Sequence, residues 1–189
     1  MRLRGKSSLL PSLKYFLPAY MSLSTTHPTW TMATTPYQVT KACTVASMLS
    51  GRYVTDYRAR YWSHTNPEGN CQVCTFTCHP ETPGTLEHLL LKCPALADTR
   101  TSANSFWYQY LADKPYLGPV IIYHNLTPGD EGDKLFMQLL LDPSSCPMVV
   151  KLVQDLGLDI LSQLLHMTRT WCYSHHLKHK RLLRLYNVI

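Results

Sequence analysis

Behind Thr35-Pro36, a pairing suited to an N-cap and first helical residue, Val39, Ala42, Cys43, Ala46 and Leu49 recur at helical spacing until Gly51. This predicts one secure helix over 36–50. A shorter one is expected from about Asp56 to Trp62, followed by a turn through SHTNPEGN, and another over Leu86–Lys92 that stops where Pro94 disfavours α geometry at Cys93. Further helices are predicted from Pro94 to about Leu111, ending in Phe106, Trp107 and Tyr110, and from Asp133 to Leu141, where Pro143 stops it. Lys114–Asn125, punctuated by Pro and Gly, reads as a loop with room for one short strand. The last segment starts near Ser145 and Pro147. Its apolar stripe runs through Val150, Val153, Leu156, Ile160, Leu161, Leu164, Leu165, Thr168, Trp171 and Cys172, with Gly157 as a point of kinking. The expected fold is mainly α: a small irregular helical domain over 36–142, a long C-terminal amphipathic helix with a basic end over 143–189 packed on it, and a basic, poorly ordered segment over 1–35.

Composition sharpens this picture. The chain has 189 residues, 45% hydrophobic and only 16% charged, with 13 Pro and 12 Tyr, which suits a globular piece with irregular connections. The net charge of +6 is unevenly placed: every Asp and Glu lies between Asp56 and Asp159, so both ends are basic. No apolar run approaches the roughly 20 residues of a spanning helix. Pro11, Lys14 and Pro18 interrupt any signal-peptide core, so secretion is not expected and a nuclear or cytoplasmic location is. The acid-free start also imitates a mitochondrial presequence. Seven cysteines, an odd number without a secretory signal, favour a reducing compartment in which clustered thiols bind metal.

The candidate chemistry lies in CQVCTFTCHPETPGTLEHLLLKC, where Cys71-x2-Cys74 is followed by His88-x4-Cys93. Four soft ligands at such spacings can close a tetrahedral Cys3His shell around Zn2+, a zinc knuckle of CCHC type. Five residues on a continuous α-helix would carry Cys93 well away from His88, so the helix has to stop there. Cys78 lies inside the same loop and competes with Cys74 for the fourth position. Buried structural thiols are the ordinary alternative.

Three stretches, SGRYVTDYRARYWSHTNPEGNC, TPGTLEHLLLKCPAL and MTRTWCYS, occur in this order at 50–71, 82–96 and 167–174. Together they resemble the tail that follows the reverse transcriptase domain in non-LTR (LINE-type) retrotransposon polyproteins, over roughly Leu10 to Tyr186. The resemblance implies a zinc-containing segment that helps hold RNA or DNA beside a polymerase. Its metal ligands match Cys71, His88 and Cys93, with Cys74 as the fourth; the long interval between Cys74 and His88 is where the chain departs from it.

Catalysis is not implied. The chain has no Asp-Asp pair of the kind a polymerase uses to hold two metal ions, and the GDEGD stretch at Gly129–Asp133 reads as a solvated acidic turn. Cys172 belongs to the apolar stripe, which argues against a thiol nucleophile. Nucleic-acid contacts are expected from Arg52, Arg58, Arg60, Tyr61 and Trp62, which interleave cations with rings, and from Lys178, Lys180, Arg181 and Arg184, with shape or single-strandedness read rather than base sequence. Docking on a reverse transcriptase domain through apolar surface, and a decayed element without independent function, are the competing readings.

Overall fold

The computed structural model describes residues 28–62, 64–76, 81–112 and 130–186. Thr35 has extended backbone and accepts the Gln38 amide on its hydroxyl, while the Gln38 side chain returns to the Thr35 amide, a reciprocal capping box. With Pro36 pre-set for the first turn, this opens α2 (Pro36–Leu49), preceded by the short α1 (Pro28–Thr31). The remaining helices are α3 (Asp56–Ala59), α4 (Gln72–Thr75), a π turn (His88–Lys92), a 3-10 turn (Pro94–Leu96), α5 (Ala97–Ala112), α6 (Asp130–Leu141), a second 3-10 turn (Pro143–Ser145), α7 (Pro147–Leu156) and α8 (Asp159–Leu185). Among the described residues the only β pairing is an isolated bridge between Asn70 and Pro83. The chain is mainly α with a long C-terminal helix, and none of the described helices is long and apolar enough to cross a membrane.

The Cα trace separates into two units, Met1–Tyr53 with Val120–Thr170, and Val54–Pro119 with Trp171–Ile189. In the first, α2 packs on α6. Ala42, Val45, Met48 and Leu49 of α2, Met137, Leu140 and Leu141 of α6, Val149 of α7, and Leu164, Leu165 and Met167 of α8 make its core. Each large aliphatic side chain so buried contributes about 1.5–3 kcal/mol. The buried face of α2 differs from the predicted stripe. Val39 and Cys43 are exposed, whereas Lys41 is buried because its ammonium donates to the Thr170 hydroxyl at 2.9 Å and lies over the Tyr37 ring. Arg169, 2% exposed, donates to the carbonyls of Thr29, Pro28 and Met32, supplying partners to the C-terminal end of α1.

The C-terminal segment is two helices, not one. Gly157 adopts φ 96, a conformation L side chains rarely enter, and it stops α7. Consequently Val150 and Leu156, predicted to continue the stripe, are exposed, whereas Ile160, Leu161, Leu164, Leu165, Thr168, Trp171 and Cys172 are buried as expected. Helix α6 begins at Asp130, so residues 130–133 of the acidic stretch are helical, where a turn was expected, and Gly129 lies outside the described residues. Of the segment expected over 1–35, residues 1–27 lie outside the described residues, as do Cys78 and the loop at Lys114–Asn125, while Pro28–Thr31 of that segment is helical.

In the second unit, Trp107 of α5 meets Trp171 of α8 edge to face at 5.8 Å, and Trp171 stacks on His175 at 5.3 Å. Phe76, at the end of α4, stacks on Tyr186 at 4.6 Å. Val73, Leu89, Leu90 and Leu96, on the elements that carry or flank the cysteines of the candidate site, are buried.

Candidate metal centre

The first pair of candidate ligands is placed by a turn and two backbone zips. Asn66 accepts the Asn70 amide and donates to the Asn70 carbonyl, closing the turn over Pro67–Gly69. Cys71 donates its amide to Thr82 at 2.7 Å, and Gly84 donates to Gly69 at 2.9 Å, so the arm entering Cys71 runs beside the arm leaving for His88. Gly84 also accepts the Tyr57 amide. A Cβ on Gly84 would stand 2.6 Å from the Asp56 Cβ and 3.1 Å from the Cys71 Cα, so a side chain there would push on the ligand itself. The Asp56 carboxylate reaches across to accept the Gln72 amide at 3.0 Å, capping α4, in which Cys71 and Cys74 stand on one turn. Burial raises the Asp56 carboxyl above its ordinary range, against the Gln72 hydrogen bond and the charge of His88, which lower it.

The second pair depends on the π turn. Thr85 accepts the His88 amide on its hydroxyl and the Leu89 amide on its carbonyl, starting the helix. The Cys93 amide then donates to His88 at 2.7 Å, a bond five residues long. In an α-helix, residues five apart differ by about 140° around the axis. The wider turn brings Cys93 back toward His88, and it also places Lys92 on Glu87 at 3.0 Å. The helix does end at Cys93, whose ψ of 116 is what Pro94 requires. The register is therefore set by widening before the stop, which the expectation of a simple stop lacked.

Cys71, Cys74, His88 and Cys93 converge, all buried, with their ligand atoms within 4.8 Å of one another. Cys74 Sγ lies 3.2 Å from His88 Nε2 and 3.5 Å from Cys93 Sγ, too far for a disulfide, and the described cysteines are free thiols. Interaction with Cys93 and burial push the Cys71 thiol up to about 12; burial and then Cys71 push Cys74 up to about 11. Without a cation Cys71 and Cys74 hold their protons. Backbone amides oppose this, Cys74 toward the Cys71 sulfur and Ala95 toward the Cys74 sulfur, as suits sulfurs that are to carry charge. A buried group of three thiols and one imidazole is poor as a nucleophile and able to hold a metal ion.

Other side chains bear on this group that sequence reasoning does not connect with it; His175 enters that reasoning only as a partner for a Cys172 nucleophile. Half-buried Arg100 of α5 feels the charges of Cys93 and Cys74. His175 and His179, one turn apart on α8, are buried and pushed down to about 4, chiefly by burial; His179 also feels His176 and His88. No spacing rule ties them to the four candidate ligands, because they come from other helices.

The expected nucleic-acid residues are divided between the two units. Arg52 is exposed in the first unit. In the second, Arg58 is exposed and the Arg60 guanidinium lies 3.8 Å from the Tyr57 ring centroid and 4.9 Å from that of Tyr61. Tyr61 and Trp62 are 74% and 57% exposed. Near the end of α8, Lys180, Arg181 and Arg184 line an open groove of about 420 Å³ with His176, Leu177 and Leu185, while Lys178 is half-buried. No family model, no curated protein and no solved structure matches this chain.

Proposed function

We propose that Cys71, Cys74, His88 and Cys93 hold one structural zinc ion, and that the chain is a non-catalytic nucleic-acid-binding segment serving target-primed reverse transcription in a non-LTR retrotransposon polyprotein. The convergence of the four donors carries the zinc reading. A tetrahedral shell with Zn–S near 2.3 Å has sulfur–sulfur edges of about 3.8 Å; the Cys74 and Cys93 sulfurs stand 3.5 Å apart, close to that value, and all four donor atoms lie within 4.8 Å of one another. Thiolates with one imidazole suit zinc among the abundant divalent ions, and four protein ligands leave no open position for substrate. The ion would cross-link α4 to the π turn.

Nucleic-acid binding is supported by the exposed rings of Tyr61 and Trp62 beside Arg60 and by the three exposed cations at the end of α8, with which no carboxylate pairs among the described residues. The test is native mass spectrometry of the purified chain, followed by single-stranded RNA titrations at rising salt. One zinc per chain, lost on Cys93→Ser, and an affinity that falls steeply with salt are expected. A chain without zinc under reducing conditions overturns the metal reading, and salt-independent affinity overturns the phosphate contacts.

A second reading, a module that docks on a polymerase, is favoured by Leu156 and Leu158, both exposed on either side of Gly157 at the end of α7. Association through them would persist in high salt.

A further inference from the structure

A divalent ion held by three thiolates and a neutral imidazole leaves a net negative charge, and here that charge would be buried. Buried charge is costly unless a counter-charge accompanies it. Among the described side chains of the second unit, Arg100 is the cation whose interaction with Cys93 and Cys74 is marked. It stands seven residues beyond Cys93, in the first turn of α5, where the 3-10 turn at Pro94–Leu96 has already reoriented the chain. Its Nη1 is buried without a hydrogen-bond partner. Burial pulls this guanidinium down, and the sulfurs of Cys93 and Cys74 oppose that.

The other side of Arg100 is equally particular. His175 donates Nδ1–H to the Trp171 carbonyl at 2.8 Å, so its Nε2 carries a lone pair, and that atom too is buried without a partner. Arg100 acts electrostatically on His175. A donor and an acceptor, each buried without a hydrogen-bond partner, are therefore within electrostatic reach of one another, and the donor's side chain is within reach of the cluster.

Resting on the zinc reading above, we propose that Arg100 is a positioning residue of the metal centre: its guanidinium neutralises the charge of the metal–thiolate group and is held in place against neutral His175 of α8. The ligands alone do not set the affinity. Removing the cation leaves the thiolate charge buried and uncompensated, so metal binding weakens although all four ligands remain. Outer partners of metal ligands typically govern affinity by about 10–100-fold.

The experiment is zinc competition against a chromophoric chelator, with full-length wild type, Arg100→Gln and Arg100→Lys, beside thermal unfolding of each with and without zinc. Arg100→Gln is expected to weaken zinc by about 10-fold or more, and Arg100→Lys to recover most of the loss because charge is what counts. The unfolding midpoint of Arg100→Gln should fall in the zinc-loaded form and match wild type in the metal-free form, which a purely structural role would not produce. Equal zinc affinity in wild type and Arg100→Gln overturns the proposal, as does an equal loss of stability in both forms. A Lys variant as weak as the Gln variant overturns the charge argument. Wild type that takes up no zinc instead removes the zinc reading, and this proposal with it.

Discussion

His175 should make the second unit acid-sensitive in a way that one substitution removes. The imidazole is fully buried, stacked on Trp171, and burial pushes it down to about 4, with the charge of Arg100 adding to the effect and the Trp171 carbonyl opposing it. An unfolded histidine titrates near 6.5, so between about pH 6.5 and 4 the unfolded chain takes up a proton that the folded chain refuses. The folded-state value is depressed for a base, and the contribution is therefore complete above about pH 6.5 and lost as pH falls toward 4. A separation of about 2.5 units at 1.36 kcal/mol each corresponds to about 3 kcal/mol, an upper figure. His175→Phe keeps a ring against Trp171 and cannot titrate, at the cost of about 1 kcal/mol for the hydrogen bond to the Trp171 carbonyl. Urea unfolding followed by near-ultraviolet circular dichroism of the buried Trp107–Trp171 pair, repeated from pH 7.5 to 4.5, gives the difference between the two chains at each pH. Acid also releases metal, but it does so in both chains and drops out of that difference. Wild type should lose up to about 3 kcal/mol more than the variant across this range. Parallel losses would refute the assignment of a neutral, proton-excluding imidazole.

Other outcomes follow from the same geometry. Gly84→Ala forces a Cβ against Asp56 and the Cys71 backbone, so it should cost about 1–3 kcal/mol and weaken zinc uptake, seen in denaturant titration and chelator competition. Thr35→Ala removes the capping box of α2 and should cost about 1 kcal/mol without altering metal content. Leu164→Ala empties a site in the core of the first unit and should cost about 2–5 kcal/mol, with zinc stoichiometry unchanged by mass spectrometry. Cys93→Ser should disturb amide spectra over Cys71–Cys93 while leaving those of α2 in place; an unchanged spectrum over Cys71–Cys93 would count against a structural ion.

Local signals proved readable and long-range ones did not. Thr35-Pro36 marked the start of α2, Pro94 and Pro143 marked two ends, and the Cys-x2-Cys and His-x4-Cys spacings pointed to residues that the structure brings together. The stripe of α2 misled because Lys41 is amphipathic: its buried stem depends on a hydroxyl at Thr170, far along the chain. Gly157 was visible as a weak point, but whether a glycine bends a helix or ends it depends on φ, which composition does not carry. The stretch MTRTWCYS, one of the three that carry the resemblance, is largely packing: Met167, Thr168, Arg169, Trp171 and Cys172 are all buried, and Arg169 serves the carbonyls of α1. Arg100 and His175 stayed hidden because their significance lies in unmatched hydrogen-bonding atoms, which exist only after folding.

The π turn between His88 and Cys93 turns chain length into information. Leu89 and Leu90 fill the interior, so their exchange for another aliphatic residue alters volume alone. Loss of any one residue from Leu89 to Lys92 would instead let the segment relax into an ordinary helix and reset the angle at which the last sulfur arrives. For this stretch, an in-frame deletion of a single codon is therefore a graver lesion than most missense changes.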